Sequence, residues 1–231
     1  MELSERLKAV ASFVTPGSRI ADVGCDHGYI PIYLYEKGSI KKAIAMDINE
    51  GPLQRAKEHI AEHNLSCYIE TRLSDGVENL KHGEADTLII AGMGGPLMQK
   101  ILTDGVETIK GMKEFILQPQ SEIREFRHFL LENGFRIVEE TIICEEDKFY
   151  PIMKVVFGTD SYEKEIEYAY GKLLIANRNK VLLDFLEKEK SIKTNIYKNL
   201  YKAKEPSVFA LTRMKELRQE LDEIEQALME I

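Results

Sequence analysis

The sequence predicts an α/β domain on a mostly parallel sheet, followed by an α-helical appendage. Three observations carry this. Strand-like and helix-like runs alternate over residues 19–133. The first strand-like run, Ile20-Ala21-Asp22-Val23, enters a glycine-bearing turn, and the next ends on Asp47, about two dozen residues on. After Gly158-Thr159-Asp160 no strand-like run follows, and apolar residues fall at helical spacing.

Leu3, Leu7, Val10 and Phe13 give an opening amphipathic helix that Pro16-Gly17 stops. Residues 19–23 read as strand and 30–36 as helix. Residues 42–46 are strand, and Pro52 sits in the first turn of a helix reaching about His63. Residues 67–71 are the third strand. Residues 86–91 are a buried fourth strand followed by a glycine cluster, and 114–117 are the fifth. A helix over 122–133 is closed by Gly134. Residues 135–144 and 150–157 follow without an intervening helix, so a hairpin supplying one antiparallel strand is expected. Beyond it, Ile166, Tyr170, Leu173, Leu174, Val181, Leu182 and Phe185 keep helical spacing. Leu211, Met214, Leu217, Leu221, Ile224 and Leu228 approach a heptad seam. Pro206 separates the two stretches. An antiparallel helical hairpin is expected, with short extra helical pieces over 188–204. The domains expected are 1–158 and 159–231.

Of 231 residues, 44% are hydrophobic and 30% charged, which suits a folded core and argues against disorder. Met1-Glu2-Leu3-Ser4-Glu5-Arg6 has no basic lead into an apolar run, so no secretory leader is expected. No apolar stretch approaches a bilayer span, and no membrane association is expected. Cys25, Cys67 and Cys144 are scattered and odd in number, against a disulfide framework or zinc knuckle and for a reducing cytoplasm. The net charge of −8 is unlike that of a general nucleic-acid binder. Residues 172–204, however, hold nine basic side chains against three acidic ones.

The turn Asp22-Val23-Gly24-Cys25-Asp26-His27-Gly28 places a glycine where backbone approaches a ligand. Asp47, ending the second strand, can accept both hydroxyls of a ribose. A dinucleotide fingerprint would put a glycine where Asp26 stands, because a pyrophosphate needs close backbone approach. A carboxylate there repels phosphate and suits an ammonium and a sulfonium, so S-adenosylmethionine is favoured over a dinucleotide. Asp47-Ile48 and Ser74-Asp75-Gly76 follow strands two and three, and Asp75 can accept from an adenine amine. Gly92-Met93-Gly94-Gly95 follows strand four, where glycines let a planar base approach. Neither an Asp/Asn-Pro-Pro-aromatic run nor a placed cysteine nucleophile is present, which leaves acceptors with a free lone pair, such as a ring nitrogen. Gln118-Pro119-Gln120 follows strand five, and its amides can address a base edge. His27, beside Tyr29, either orients a base or fills the turn. His59-x-x-Glu62-His63 matches an inverted zinc-peptidase pattern, but it sits at a helix end without a third ligand, and no metal is expected.

With these residues in hand, the chain resembles class I S-adenosylmethionine-dependent methyltransferases, and more closely the bacterial tRNA adenine-22 N1-methyltransferase family. The resemblance rests on residues 22–31, 47–49, 73–76, 92–95 and 117–120 and on the helical tail. It implies a Rossmann-like catalytic domain with a C-terminal coiled coil, and methyl transfer to N1 of an adenosine in the D-arm region of tRNA. Asp22, Gly24, Asp26, His27, Gly28, Asp47, Ile48, Ser74, Asp75 and Gly76 would bind the cofactor. Gly92, Met93, Gly94, Gln118 and Pro119 would line the reacting centre. His27, Tyr29, Gln120, Lys188, Lys190 and Lys193 would meet the tRNA, with Tyr197 and Tyr201 stacking or packing. A monomer is expected. The rivals are a methyltransferase for a protein or metabolite that uses its tail to oligomerise, and a non-catalytic RNA-binding protein.

Overall fold

The computed structural model describes residues 2–202 and 207–231. The chain divides into two compact units, Met1–Ser161 and Tyr162–Ile231.

The first unit holds seven strands: β1 (Ser18–Val23), β2 (Ile40–Asp47), β3 (Ile69–Leu73), β4 (Thr87–Met93), β5 (Glu114–Pro119), β6 (Phe135–Glu145) and β7 (Lys148–Phe157). They form one sheet in the order β3-β2-β1-β4-β5-β7-β6. The first five pair in parallel, and β7 runs antiparallel to both β5 and β6. The β6–β7 turn is Glu146-Asp147, both at positive φ (50° and 62°), which suits the twist of a tight hairpin. The helices are α1 (Glu5–Ser12), α2 (Tyr29–Glu36), α3 (Glu50–Glu62), α4 (Gly95–Asp104), α5 (Val106–Ile109) and α6 (Ile123–Glu132).

Central strands buried on both faces read as unbroken apolar runs. Leu88, Ile89 and Ile90 of β4 and Phe115, Ile116 and Leu117 of β5 are fully buried. On one face Ile20, Ala43, Ala45, Ile69, Ile89, Ile116 and Ile152 pack with Val10 of α1, Ile32 of α2 and Ile60 of α3. The chain winds from β1 outward through β2 to β3 and then crosses back to β4 on the other side of β1, so the strand order reverses at β1 and β4. A crevice therefore opens at the carboxyl ends of β1 and β4.

Two differences from expectation have local causes. The third strand starts at Ile69 rather than at residue 67, because Cys67 and Tyr68 lie in the preceding turn, where Tyr68 stacks on Tyr35. Helices α4 and α5 are additions. Gly94 and Gly95 read as turn residues, yet Gly94 is the N-cap and Pro96 lies in the first helical turn, where a missing N–H costs nothing.

Helix α1 is fixed at both ends. Ser4 Oγ accepts from Leu7 N–H at its start. Past its end, Thr15 donates its N–H (2.8 Å) and its hydroxyl to the Glu114 carboxylate. Thr87 Oγ1 and Lys154 Nζ also donate to that carboxylate, at 2.8 and 2.9 Å. Behind the sheet's other face, the buried Arg127 of α6 holds the buried Glu140 of β6 through Nε (3.0 Å) and Nη2 (2.6 Å).

The second unit contains α7 (Glu165–Tyr170), α8 (Lys172–Ala176), α9 (Lys180–Tyr201) and α10 (Val208–Glu230). What the structure shows of the expected coiled coil is an antiparallel pair of long helices. Lys190 Nζ meets Glu225 at 3.0 Å and Lys193 Nζ meets Glu220 at 2.5 Å, so the two helices run in opposite directions. Leu182 and Leu186 of α9 are buried, as are Leu217, Ile224 and Ala227 of α10. The short helical pieces precede α9 rather than filling 188–204. Gly171 (φ 97°) and Arg178 (φ 50°) break the chain there, and Asn179 Oδ1 caps α9 at Val181 and Leu182. Lys204 and Pro206 lie outside the described residues. Among the described residues no helix is long and apolar enough to cross a membrane.

Candidate active site

The first βα turn is built by backbone. Gly24 and Cys25 donate their N–H groups to the Met46 carbonyl, at 2.8 and 3.0 Å, which bends the chain sharply past the end of β1. Gly24 has φ +75° and Gly28 φ +69°. Both are values that a Cβ disfavours.

Asp22 and Asp47 are buried at the carboxyl ends of adjacent strands. Burial, reinforced by the Asp47 charge, pushes the Asp22 carboxyl up to about 7. No described residue hydrogen-bonds or ion-pairs with the Asp22 side chain. Asp47 Oδ1 accepts from Asn49 N–H at 2.9 Å, and its carbonyl accepts from Ser74 N–H at 2.9 Å. The loops after β2 and β3 are thereby clipped together. Ile48, next to Asp47, is 58% exposed, an apolar surface presented at the sheet edge.

A cleft of about 240 Å³ is lined by Arg6, Asp22, Gly24, Asp26, Tyr29 and Gly92, among others. Asp26 reaches its rim but is largely exposed and turned to Arg55 (3.3 Å). The acid that gives the interior its negative character is therefore Asp22, with Asp47 behind it. His27, Tyr29 and His59 stack on one another, with centroids 5.0 to 5.6 Å apart. His59 Nδ1 lies 3.2 Å from the His27 carbonyl. His27 Nδ1 is buried with no hydrogen-bond partner among the described residues.

Asp75 borders a separate recess of about 50 Å³ with Gly76, Lys100 and Ile101, and Lys100 Nζ lies 3.5 Å from its carboxylate. Ser74 Oγ accepts from Asn79 N–H at 3.1 Å. Gly92 (φ +82°) is exposed at the carboxyl end of β4, which runs on through Gly92 and Met93 rather than stopping before them as expected. Met93 lies across the glycine turn, and Gly94 is held close to Ser121. Gln120 donates its N–H to the Met93 carbonyl at 2.9 Å, which joins the loops after β4 and β5.

Gln118 is fully buried, and both ends of its amide are occupied. Oε1 accepts from Arg6 Nη1 and Nε2 donates to the Pro119 carbonyl, each at 3.0 Å. It is therefore a support, and the exposed Gln120 is the amide left facing the cleft. Arg6 is the residue that sequence reasoning missed. Its contact with Gln118 spans 112 positions, and the only available signal was an arginine on the polar side of the opening helix.

The lysines expected at tRNA lie on α9. Lys188 is exposed. Lys193 is held between Glu189 (3.1 Å) and Glu220, and Lys190 is paired with Glu225. Of the zinc-peptidase pattern, His63 Nδ1 is bound to Glu36 and His59 faces His27. No group of three or more metal-capable side chains is gathered among the described residues.

A family profile described as a methyltransferase domain matches residues 3–153. The tRNA (adenine(22)-N(1))-methyltransferase of Bacillus subtilis is 32% identical over 208 residues, covering 88% of this chain and 87% of that protein. The chain belongs to the tRNA (adenine(22)-N(1))-methyltransferase family. The crystal structure of the B. subtilis m1A22 tRNA methyltransferase TrmK superposes with a TM-score of 0.86 at 30% identity, covering 98% of this chain and 99% of that one. M. capricolum TrmK, solved with S-adenosyl-homocysteine, gives 0.85 at 28% identity over the whole of both chains. The fold of this chain is thus seen in a relative solved with a cofactor product bound.

The donor set fits a cationic methyl donor. The buried Asp22 carboxylate, without a partner among the described residues, asks for a positive charge, and the Gly24 turn lines the cleft beside it.

Proposed function

We propose that this protein transfers a methyl group from S-adenosylmethionine to N1 of adenosine 22 in the D-arm region of tRNA. The observation that carries the reading is the pair of buried carboxylates, Asp22 and Asp47, at adjacent strand ends beside the Gly24 turn, in a chain of this family. Asp22 takes the amino-acid ammonium of the cofactor, and Asp47 takes the ribose hydroxyls. Gly24, Asp26, His27 and Gly28 form the turn beneath the cofactor. Ile48, Ser74, Asp75 and Gly76 surround its adenine. Bound there, the cofactor supplies an electrophilic methyl on a sulfonium.

The acceptor, adenine N1, carries its own lone pair, so the residues need to align it rather than deprotonate it. Gly92, Met93 and Gly94 form the floor beside the methyl, and Pro119 with Gln120 flanks the base. The His27–Tyr29 stack is a surface against which an extruded base can lie. Extrusion is needed because N1 is on the pairing edge. The helical unit, residues 162–231, grips the body of the tRNA. On α9 and its C-cap the exposed lysines are Lys188, Lys198 and Lys202, and these meet phosphates, while Lys190 and Lys193 are engaged within the hairpin. Such an enzyme works in the cytoplasm, where its substrate is.

The test is incubation of the purified protein with an unmodified tRNA transcript and methyl-labelled S-adenosylmethionine, followed by nucleoside mass spectrometry with position mapping. 1-Methyladenosine at position 22 is the expected product. Label found in protein or small metabolites but absent from tRNA would overturn the reading.

A further inference from the structure

The cleft carries one cation among its lining residues, and nothing above assigns it a ligand. Arg6 reaches the cleft from α1. Its main-chain N–H donates to Glu145 Oε1 at 3.3 Å, its Nη1 donates to Gln118, and its guanidinium carbon lies 5.5 Å from the centre of the Tyr150 ring. None of these partners places a carboxylate against the guanidinium, and Arg6 makes no ion pair with a described residue. Arg19, Arg55, Arg72, Arg127 and Arg213 all do. A guanidinium carries five donors, and the bond to Gln118 uses one. Gly92 lies immediately beside it: a Cβ there would be 3.7 Å from both Arg6 Nη1 and Gln120 Nε2. An uncompensated, geometrically fixed fork of donors next to open backbone is built to take an oxyanion.

We propose that Arg6 is the anion anchor of this cleft, binding an anionic oxygen group beside Gly92. The inference rests on the reading given under Proposed function, which offers two sources of that group. One is the carboxylate of the cofactor's amino-acid end, whose ammonium neighbour would lie at Asp22. The other is a phosphodiester flanking the methylated adenosine. Gln118 is the support: a neutral amide holds the fork in place and leaves its charge free.

The experiment compares wild type, R6Q and R6K by calorimetric titration with S-adenosylmethionine and with 5′-methylthioadenosine, which lacks the amino-acid end. tRNA binding is measured across a salt series. If the ligand is the carboxylate, R6Q weakens S-adenosylmethionine at least tenfold and leaves 5′-methylthioadenosine unchanged. If it is the phosphodiester, R6Q leaves both small ligands unchanged, weakens tRNA about tenfold and makes the salt slope shallower by about one. R6K recovers part of either loss, because the charge returns without the fork. Should R6Q not fold, the same titrations on R6K decide, with a selective loss of threefold or more expected. Wild-type affinity for all three ligands in a folded variant overturns the proposal. Failure of the functional reading looks different: the wild-type protein itself would leave tRNA unmethylated, while the small-ligand titrations still report on Arg6.

Discussion

The thioether methyl of Met93 occupies the space that a Cβ on Gly24 would need. The turn after β1 and the carboxyl end of β4 are therefore fitted to one another, although 69 positions separate Gly24 from Met93 in the sequence.

Gly24→Ala is expected to disrupt this fit twice. It forces a side chain into φ +75°, at a cost of about 1–2 kcal/mol, and it displaces Met93. S-adenosylmethionine affinity should fall at least tenfold by calorimetry. Adding Met93→Ala relieves the collision but not the backbone strain, so the double variant should recover only part of the loss. Full recovery would show that φ at this position is immaterial.

Asp22→Asn separates stability from binding. Burial and the Asp47 charge raise the folded-state carboxyl to about 7. A carboxyl whose proton is held more tightly in the fold than in the unfolded chain makes the protein less stable as pH rises from about 4 to about 7. Above that window the wild type carries an unfavourable buried charge and the Asn variant does not. The variant should melt a few degrees higher at pH 8, by roughly 2–4 °C for each kcal/mol, and bind S-adenosylmethionine at least tenfold more weakly. In the wild type, cofactor affinity should decline as pH falls below 7, because a protonated Asp22 cannot meet a cation. A flat profile between pH 6 and 8 would exclude Asp22 as the ammonium partner.

Arg127→Met leaves the Glu140 carboxylate buried without its cation. A loss of about 3–5 kcal/mol in urea unfolding is expected, and most of it should return in Arg127→Met/Glu140→Leu, which removes both charges. A single-variant loss below 1 kcal/mol would mean that the buried pair contributes little.

Charge reversal should divide the lysines of α9 and its C-cap into two sets. Lys190→Glu/Lys193→Glu faces Glu225, Glu189 and Glu220 with like charge, so it should lower the melting temperature of the helical unit. Lys198→Glu/Lys202→Glu should leave melting unchanged and weaken tRNA binding roughly tenfold at low salt. Equal tRNA affinity in the second variant would place the grip elsewhere.

The sheet was legible in the sequence because its central strands are buried on both faces, which leaves unbroken apolar runs such as Leu88-Ile89-Ile90. Its carboxyl-edge acids were legible as positions because Asp22, Asp47 and Asp75 lie at or just past the ends of successive strands. What escaped depended on distance or on ambiguous punctuation. Glycines and a proline opening α4 look the same whether they end a turn or begin a helix. Lys190 and Lys193 read as free cations in a basic block, since their acidic partners at Glu220 and Glu225 come from the other helix. Gln118 read as a base-reading amide because nothing local reveals that Arg6 claims one end of it and Pro119 the other. Pairings of this kind are properties of the assembled fold.

At the opposite, amino edge of the sheet, Gly17, Gly38 and Gly83 turn the chain into β1, β2 and β4, each with positive φ and open space where a Cβ would point. These three loops bear no residue of the cleft. They are natural attachment points for a fluorophore or an affinity handle, from which methyl transfer could be watched without the label intruding on it.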